Sequence, residues 1–309
     1  MFDTVHFWID RVELSGASPF DVQPYLSEIT ERQNARGYSC SGKAGGYLAH
    51  IAENGISLRG SLAKNYFGDN LHTLTRQDTK QTIEKLSDTL HTDVSRARVT
   101  RLDVSTVIPT KRPPADYYRY LGSKPHFKRM EAVKDETLYY TNHQRQIVFY
   151  DKAGEATAKG VQIPDIWRDT NLLRYELKYT KRLNKQLNTN LTGIKLYEVS
   201  FYRSIIQSWC DEFKTIQKIK NASFMTDNIT TPKEAQTALF AYLLQQSGQK
   251  NIINDFLTEL KAKNVFDDRK YYSRVKADLN KILAAPEGQK SDLIKELETA
   301  IFTIARYAR

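Results

Sequence analysis

Three short segments of this chain, VTRLDVS (99–105), IVFYDK (147–152) and LLRYELKYT (172–180), read as β-strands that carry ionisable side chains at every second residue. This alternation constrains the fold, because strand side chains point to opposite faces in turn. Arg101 and Asp103 share one face, with Leu102 and Val104 opposite. Tyr150 and Lys152 share a face, backed by Ile147, Phe149 and Asp151. Arg174, Glu176 and Lys178 line up against Tyr175, Leu177 and Tyr179. If the three strands lie in one sheet, two carboxylates, a tyrosine and several cations converge on one surface. That combination suits metal-assisted attack on a phosphodiester.

The surrounding sequence supplies the rest of such a sheet. Residues 1–14 alternate through Val5, Phe7 and Ile9 as a first strand. Helical spacing over 21–32 predicts a helix, and the Gly/Ser-rich stretch 36–46 predicts a loop. Residues 47–64 form a hairpin turning at Asn54-Gly55. Ile83, Leu86 and Leu90 mark a helix over 75–90. Pro114 opens a short helix that Gly122 stops. Strands follow near 124–132, 136–141 and 145–152, and 153–170 reads as a surface loop. Beyond about residue 193 the pattern is helical over 195–219, 232–247, 249–263, 268–284 and 290–308, with Thr231 and Pro232 at a helix start and Asn264 at a helix end. Strands followed by helices read as an α+β fold with a helical C-terminal region.

Charge points to an anionic partner. The 309 residues carry a net charge of +10, and the cations concentrate at 124–129 (KPHFKR) and 174–220, interleaved with aromatic residues. Cations that track phosphates beside rings that stack on bases suit single-stranded nucleic acid. Candidate DNA contacts are Lys124, Lys128 and Arg129 in the first stretch and Lys178, Lys181 and Arg182 in the second. No apolar run approaches the roughly 20 residues that span a bilayer, and the first residues lack a secretory pattern. Cys40 and Cys210, the chain's two cysteines, fit no metal spacing. The expected location is the cytoplasm of a bacterial host cell.

Asp103 and Glu176 are the candidate metal ligands, because hard cations such as Mg²⁺ or Mn²⁺ take carboxylate oxygens together with water and phosphate. Ion pairing of Asp103 with Arg101 and of Glu176 with Arg174 explains the same spacing without a metal. Tyr150 is a candidate nucleophile, helped by a cation at Lys152 and by a metal. Tyr179, Tyr197 and Tyr202 are rivals that spacing does not separate from it. No two histidines stand one residue apart, and no Walker A, G-x-G-x-x-G or nucleophile-elbow sequence occurs, which argues against NTPase, dinucleotide and serine-hydrolase chemistry.

As an ordered set, Arg101-Leu102-Asp103, Tyr150-Asp151-Lys152 with Glu155, and Arg174-Tyr175-Glu176 resemble the replication initiators of filamentous phages, the gene II/X family of phage and plasmid replication proteins. More distantly they are similar to the rolling-circle initiators of small Gram-positive plasmids. The segment GSLAKNYFGDN (60–70) looks like a further feature of the family. The resemblance implies an antiparallel sheet with helices packed on one face, forming a nicking and joining domain over 1–220 ahead of a helical domain over 221–309. It implies an endonuclease that nicks one strand at a double-stranded origin and leaves a 5′-phosphotyrosine and a free 3′-OH. Tyr150 takes the nucleophile's place on the phage pattern, and Tyr202 or Tyr197 on the plasmid pattern. Lys152, Arg101 and Arg174 assist, and Asp103 and Glu176 hold the metal. The implied partners are locally melted origin DNA, a host helicase, a single-strand-binding protein and a polymerase. The competing readings are a non-catalytic origin-binding or transcriptional protein on the same scaffold, and a relaxase or single-strand transposase.

Overall fold

The computed structural model describes residues 1–35, 37–132, 136–219, 231–247, 252–283 and 290–308. These contain strands β1 (Phe2–Asp10), β2 (Ser27–Asn34), β3 (Gly37–Ala44), β4 (Tyr47–Ala52), β5 (Gly55–Ser61), β6 (Arg98–Thr110), β7 (Lys128–Ala132), β8 (Thr137–Thr141), β9 (Arg145–Asp151) and β10 (Asn171–Tyr179). The helices are α1 (Leu62–Phe67), α2 (Arg76–Leu90), α3 (Ala115–Tyr118), α4 (Lys152–Ala158), α5 (Leu183–Leu187), α6 (Val199–Lys214), α7 (Pro232–Ser247), α8 (Ile252–Ala262), α9 (Arg269–Leu283) and α10 (Asp292–Tyr307). The ten strands form one sheet in the order β2-β3-β4-β5-β1-β6-β10-β9-β8-β7, with every pairing antiparallel. The three motif strands are therefore neighbours at its centre.

One face of the sheet is the core. Tyr175 stacks between Phe149, at 4.7 Å between ring centroids, and Trp209 of α6, at 4.6 Å. Phe2 of β1 meets Tyr202 of α6 edge-on. Helix α6 turns Tyr202, Ile205, Ile206, Trp209 and Phe213 inward, as its i, i+3, i+4, i+7 spacing dictates. Helix α2 buries Ile83, Leu86 and Leu90 and starts at a capping box between Thr75 and Asp78. The opposite face bears the alternating polar residues.

Three segments differ from expectation. Residues 21–32 are not one helix: a 3-10 turn over Pro19–Tyr25, with Pro24 inside it, gives way to β2. Proline cannot donate to a continuing helix, and the following residues find a sheet edge. Residues 37–44 form β3 rather than a loop, because β2 and β4 flank them and satisfy their backbone groups on both sides. Part of the expected loop 153–170 is helix α4, capped by Asp151, whose Oδ1 accepts from Gly154 N at 3.0 Å. The hairpin at Asn54-Gly55 forms as expected. Gly55 has a φ of +149°, and a Cβ there would lie 2.3 Å from the Ile9 carbonyl, so a side chain does not fit.

The chain divides into two compact units, residues 1–217 with 296–309, and residues 218–295. In the second unit α9 packs on α7 and α8. Tyr272 is buried there, and its hydroxyl accepts from Phe266 N at 3.0 Å. The expected start of α7 is present, with Thr231 and Glu234 exchanging cap hydrogen bonds, and Asn264 after α8 adopts a left-handed φ of 47°. Residues 296–309 group with the sheet rather than with the helices of an independent 221–309 domain. Glu296 accepts from Lys111 N and from the Tyr117 hydroxyl, each at 3.0 Å, and Leu297 and Ile301 are buried. No helix among the described residues is long and apolar enough to cross a membrane.

The core face makes a measurable claim about which contacts dominate. Trp209→Ala removes a fully buried ring and is expected to cost ~3–5 kcal/mol of unfolding free energy in urea titration. Tyr175→Phe removes only the hydroxyl that donates to the Trp209 carbonyl at 2.8 Å, with an expected cost of about 1 kcal/mol. The reverse ranking would mean that the hydrogen bond, not ring packing, secures α6.

Candidate active site

Cross-strand register places the polar residues in rows on the face opposite α6. Glu176 stands between Ser105 and Val148, Lys178 between Asp103 and Gln146, and Arg174 between Val107 and Tyr150. Directly paired residues share a face, so Asp103, Glu176, Arg174, Lys178 and Tyr150 meet there. A small apolar cluster of Leu71, Val107 and Leu172, with Ala153 and Trp167 against it, closes one end of this face.

Arg174 is the hub. It is buried, and its Nε donates to Glu176 Oε1 at 2.7 Å. Its Nη2 donates to Ser105 Oγ at 2.7 Å and to Asp3 Oδ2, and its Nη1 donates to the Asn70 carbonyl. One guanidinium thus joins β10, β6, β1 and the turn after α1. Burial opposes its charge, but Asp3, Tyr150 and Glu176 together raise its pKa above the ordinary value.

The two carboxylates stand in different electrostatic states. Burial favours the neutral form of Glu176, yet Arg174 and Lys178, whose Nζ lies 2.9 Å from Oε2, outweigh it and hold the pKa at about 2. Asp103 shows the opposite balance. Burial pushes its carboxyl up to about 6, even though Arg101 donates twice to it, at 3.0 and 2.7 Å. Glu176 nearby adds to the rise.

Tyr150 donates its phenol O–H to Glu176 Oε1 at 3.0 Å. Burial raises its pKa, Arg174 works against that, and the negative charges of Glu176 and Glu155 add to it. The rival tyrosines lie elsewhere. Tyr179 and Tyr202 are buried on the α6 side, bonded to Ser208 and to the Leu74 carbonyl. Tyr197 ends a 3-10 segment beside α2 and α6. Among the four candidates, Tyr150 is the one on the polar face.

Lys152 differs from its expected place. β9 ends at Asp151, so Lys152 opens α4 instead of sharing a strand face with Tyr150. Its ammonium is buried, 2.8 Å from Asn70 Oδ1 and paired with Glu155. Burial lowers its pKa, and the bond to Glu155 opposes that. Arg174 therefore takes the position beside the phenol that Lys152 was expected to fill.

Two members of the cluster are not marked by strand alternation. Asp3 has the parity of the apolar residues Val5, Phe7 and Ile9. A register shift against β6 between Phe2 and Val5 turns it to the polar face, where it meets Arg174, Ser61 and Asn70. A carboxylate at an apolar parity position was the available signal. Asn70 comes from GSLAKNYFGDN, whose logic is now plain. Ser61 caps α1, Gly68 ends it at a φ of +85°, and Asp69 Oδ1 accepts from Leu71 N at 2.8 Å. The segment is a short helix built to deliver Asn70.

The expected DNA contacts divide. Lys128 is exposed on β7 in the row of Asp103 and Lys178, and Lys181 and Arg182 are exposed just after β10. Lys178 is committed to Glu176. Lys124 is not a surface cation: it is buried, 2.7 Å from Glu212, in a cluster with Thr215 and Arg145. Arg129 donates to the Tyr118 and Leu121 carbonyls and pairs with Glu131. Both hold the fold together.

Asp103 and Glu176 offer hard oxygen donors on adjacent strands, the kind Mg²⁺ or Mn²⁺ takes. Added positive charge beside Asp103 would relieve its burial cost, so the donor set fits a divalent cation. Binding would displace Arg101 from Asp103 and Lys178 from Glu176 Oε2, while Arg174 and Tyr150 hold Glu176 Oε1. The side chains of Arg101 and Lys178 are 33% and 20% exposed. Among the described residues no group of three or more His, Cys, Asp or Glu gathers as ligands. Remaining coordination positions would fall to water and phosphate oxygens.

Residues 1–207 match the family described as the N-terminal region of the replication-associated gene II protein. No curated protein matches the chain. Among solved structures the chain is similar to a rolling circle replication initiator protein from Geobacillus stearothermophilus, at 10% identity and a TM-score of 0.40, over 78% of this chain and 95% of that one. The family match spans all ten strands and every side chain of the polar cluster, and the chain belongs to this family of phage gene II-type replication-associated proteins.

Proposed function

We propose that this chain is a rolling-circle initiator that nicks one strand of a double-stranded origin with Tyr150. The observation that carries the reading is the phenol of Tyr150 held 3.0 Å from Glu176 on the face that also presents Asp103, in a family of replication proteins.

Glu176 Oε1 fixes the phenol oxygen. With a pKa of about 2, Glu176 stays ionised and orients the nucleophile without taking its proton. A divalent cation held by Asp103 and Glu176 would supply positive charge that favours the phenolate and offsets charge on the phosphorane. Attack by Tyr150 Oη on phosphorus forms the P–Oη bond and breaks the P–O3′ bond, and the leaving 3′ oxygen takes up the proton. The products are a 5′-phosphotyrosine and a 3′-OH that primes synthesis. Reversal by a later 3′-OH rejoins the strand. Arg174 acts as a positioning residue, and Arg101, released from Asp103, faces the phosphate. The reading implies a cytoplasmic site of action and, downstream, a helicase, a single-strand-binding protein and a polymerase.

The ion pairs on every carboxylate oxygen of Asp103 and Glu176 also suit a non-catalytic origin-binding protein, which predicts salt-sensitive binding without cleavage. Purified protein, supercoiled cognate-origin plasmid and Mg²⁺ or Mn²⁺ separate the two. A nicked circle with a covalent protein–DNA adduct is expected, and Tyr150→Phe is expected to reduce the adduct at least ~100-fold. A wild-type protein that leaves a confirmed origin intact, or an adduct that persists in Tyr150→Phe and vanishes in Tyr202→Phe, would overturn the assignment.

Asp103 yields a prediction of opposite sign for stability and activity. A carboxyl raised from 3.8 to about 6 on folding destabilises the native state once the unfolded chain ionises. At about 1.4 kcal/mol per unit the cost is on the order of 3 kcal/mol, a net figure that already contains the favourable bonds to Arg101. Asp103→Asn is therefore expected to stabilise the fold by roughly 1–3 kcal/mol at pH 7. The gain should fade between pH 6 and pH 4, and nicking should be lost. A mutant less stable than wild type at pH 7 in urea titration would refute the burial argument.

A further inference from the structure

The polar face does not end at Asp103. Cross-strand pairing continues it through His6 and Trp8 of β1, Arg59 and Ser57 of β5, Leu48 and His50 of β4, and Lys43 and Ser41 of β3. Arg98 stands opposite Trp8, and Arg101 opposite His6. This wing is open to solvent: Arg98, Arg59, Leu48, His50 and Lys43 are all exposed, and Leu48 is 50% exposed amid polar neighbours.

Its charge is not balanced. Among the described residues neither Arg59 nor Arg98 has a carboxylate at ion-pair distance, in contrast to the cations around Glu176. His6 lies beside Arg101 and Arg59. Partial burial lowers its pKa to about 4, and Arg101 and Arg59 contribute to that fall. Lys43 pairs with Glu28 at 2.6 Å and Arg101 with Asp103, so among the described residues the cations left without a counter-charge beside the His6 imidazole and the half-buried Trp8 indole are Arg59 and Arg98.

We propose that the open face of β1, β3, β4, β5 and the start of β6 is a track for single-stranded DNA that leads the melted strand to Asp103 and Tyr150. The track rests on the reading of this chain as an origin-nicking protein and adds the path of its substrate. Arg59 and Arg98 meet phosphates, and Trp8 offers a ring for a base to stack on, with Leu48 beside it. A flat sheet with an aromatic ring between cations favours unpaired bases over a duplex, whose bases are already stacked. Crossing from β6 to β3 spans four strand spacings, about 19 Å at ~4.8 Å each, enough for a few nucleotides. Continuity with Arg101 brings the strand directly to the candidate site. None of these positions belongs to the basic stretches that the sequence singled out.

The test uses the full chain and measures anisotropy of a fluorescein-labelled mixed-sequence single strand, with a duplex of the same sequence alongside. Trp8→Ala and Arg59→Glu should each weaken single-strand binding about tenfold or more and change duplex affinity less than twofold. Arg59→Glu should also flatten the salt dependence. Trp8→Phe, which keeps a stacking ring, should retain most of the affinity, and it guards against misfolding of the alanine variant. Lys80→Glu on α2 should leave binding unchanged. Single-strand affinity unmoved by Arg59→Glu, or a loss confined to the duplex, would overturn the track. Origin nicking is assayed separately. Loss of single-strand binding in these variants of a protein that never nicks would refute the enzyme reading and leave the track standing.

Discussion

The buried guanidinium of Arg174 is the contact on which the polar face depends. Its bonds reach Glu176, Asp3, Ser105 and the Asn70 carbonyl, so β1, β6, β10 and the turn after α1 meet at one planar group. A buried cation is tolerated only when paired and hydrogen-bonded, and here two carboxylates, a hydroxyl and a carbonyl do that. The geometry is directional as well, because a guanidinium presents donors in a fixed fork. A lysine would carry the charge without holding four elements in register. The phenol of Tyr150 is oriented through this arrangement, since the Glu176 oxygen it meets is the one that Arg174 fixes.

The two faces of the sheet do different work. On the α6 side aromatic stacking supplies stability, and the hydroxyls of Tyr175 and Tyr179 bond to the helix. On the other side burial is used against charge: Glu176 is over-compensated and Asp103 under-compensated, although one strand pairing brings them together. The strain at Asp103 is tolerated because the aromatic core opposite contributes more than that one carboxyl costs.

Much of this was legible in the chain itself, for a physical reason. Alternation is a local property: it put Arg101 with Asp103 and Arg174 with Glu176 on one face of each strand, and the pairing of β6, β10 and β9 then joined those faces to that of Tyr150. Failures came where a long-range contact decided. β3 looks like a loop until β2 and β4 supply its partners, and α4 hides behind a glycine in its first turn. Asp3 reaches the polar face through a bulge, which no periodicity reveals. Lys124 and Arg129 read as surface cations because composition cannot see Glu212 or a carbonyl waiting in the interior. Lys152 missed the strand by a single residue: the strand stopped at Asp151 and the next side chain belonged to a helix, yet its ammonium still reaches the cluster through Asn70.

The order of strands also sets when the cluster can exist during synthesis. β1 lies between β5 and β6, and β6 pairs with β10 across an insertion that holds β7, β8 and β9. Asp3 therefore meets Arg174 only after 171 further residues have been made, on the order of ten to thirty seconds at translation rates of ~5–20 residues per second. Until then Asp103 and Asp3 have no fixed cation from β10, and Tyr150 has no carboxylate to hold it. A chain released early carries Tyr150 and Asp3 but not Arg174 or Glu176, so strand order itself delays the polar cluster until β10 is made.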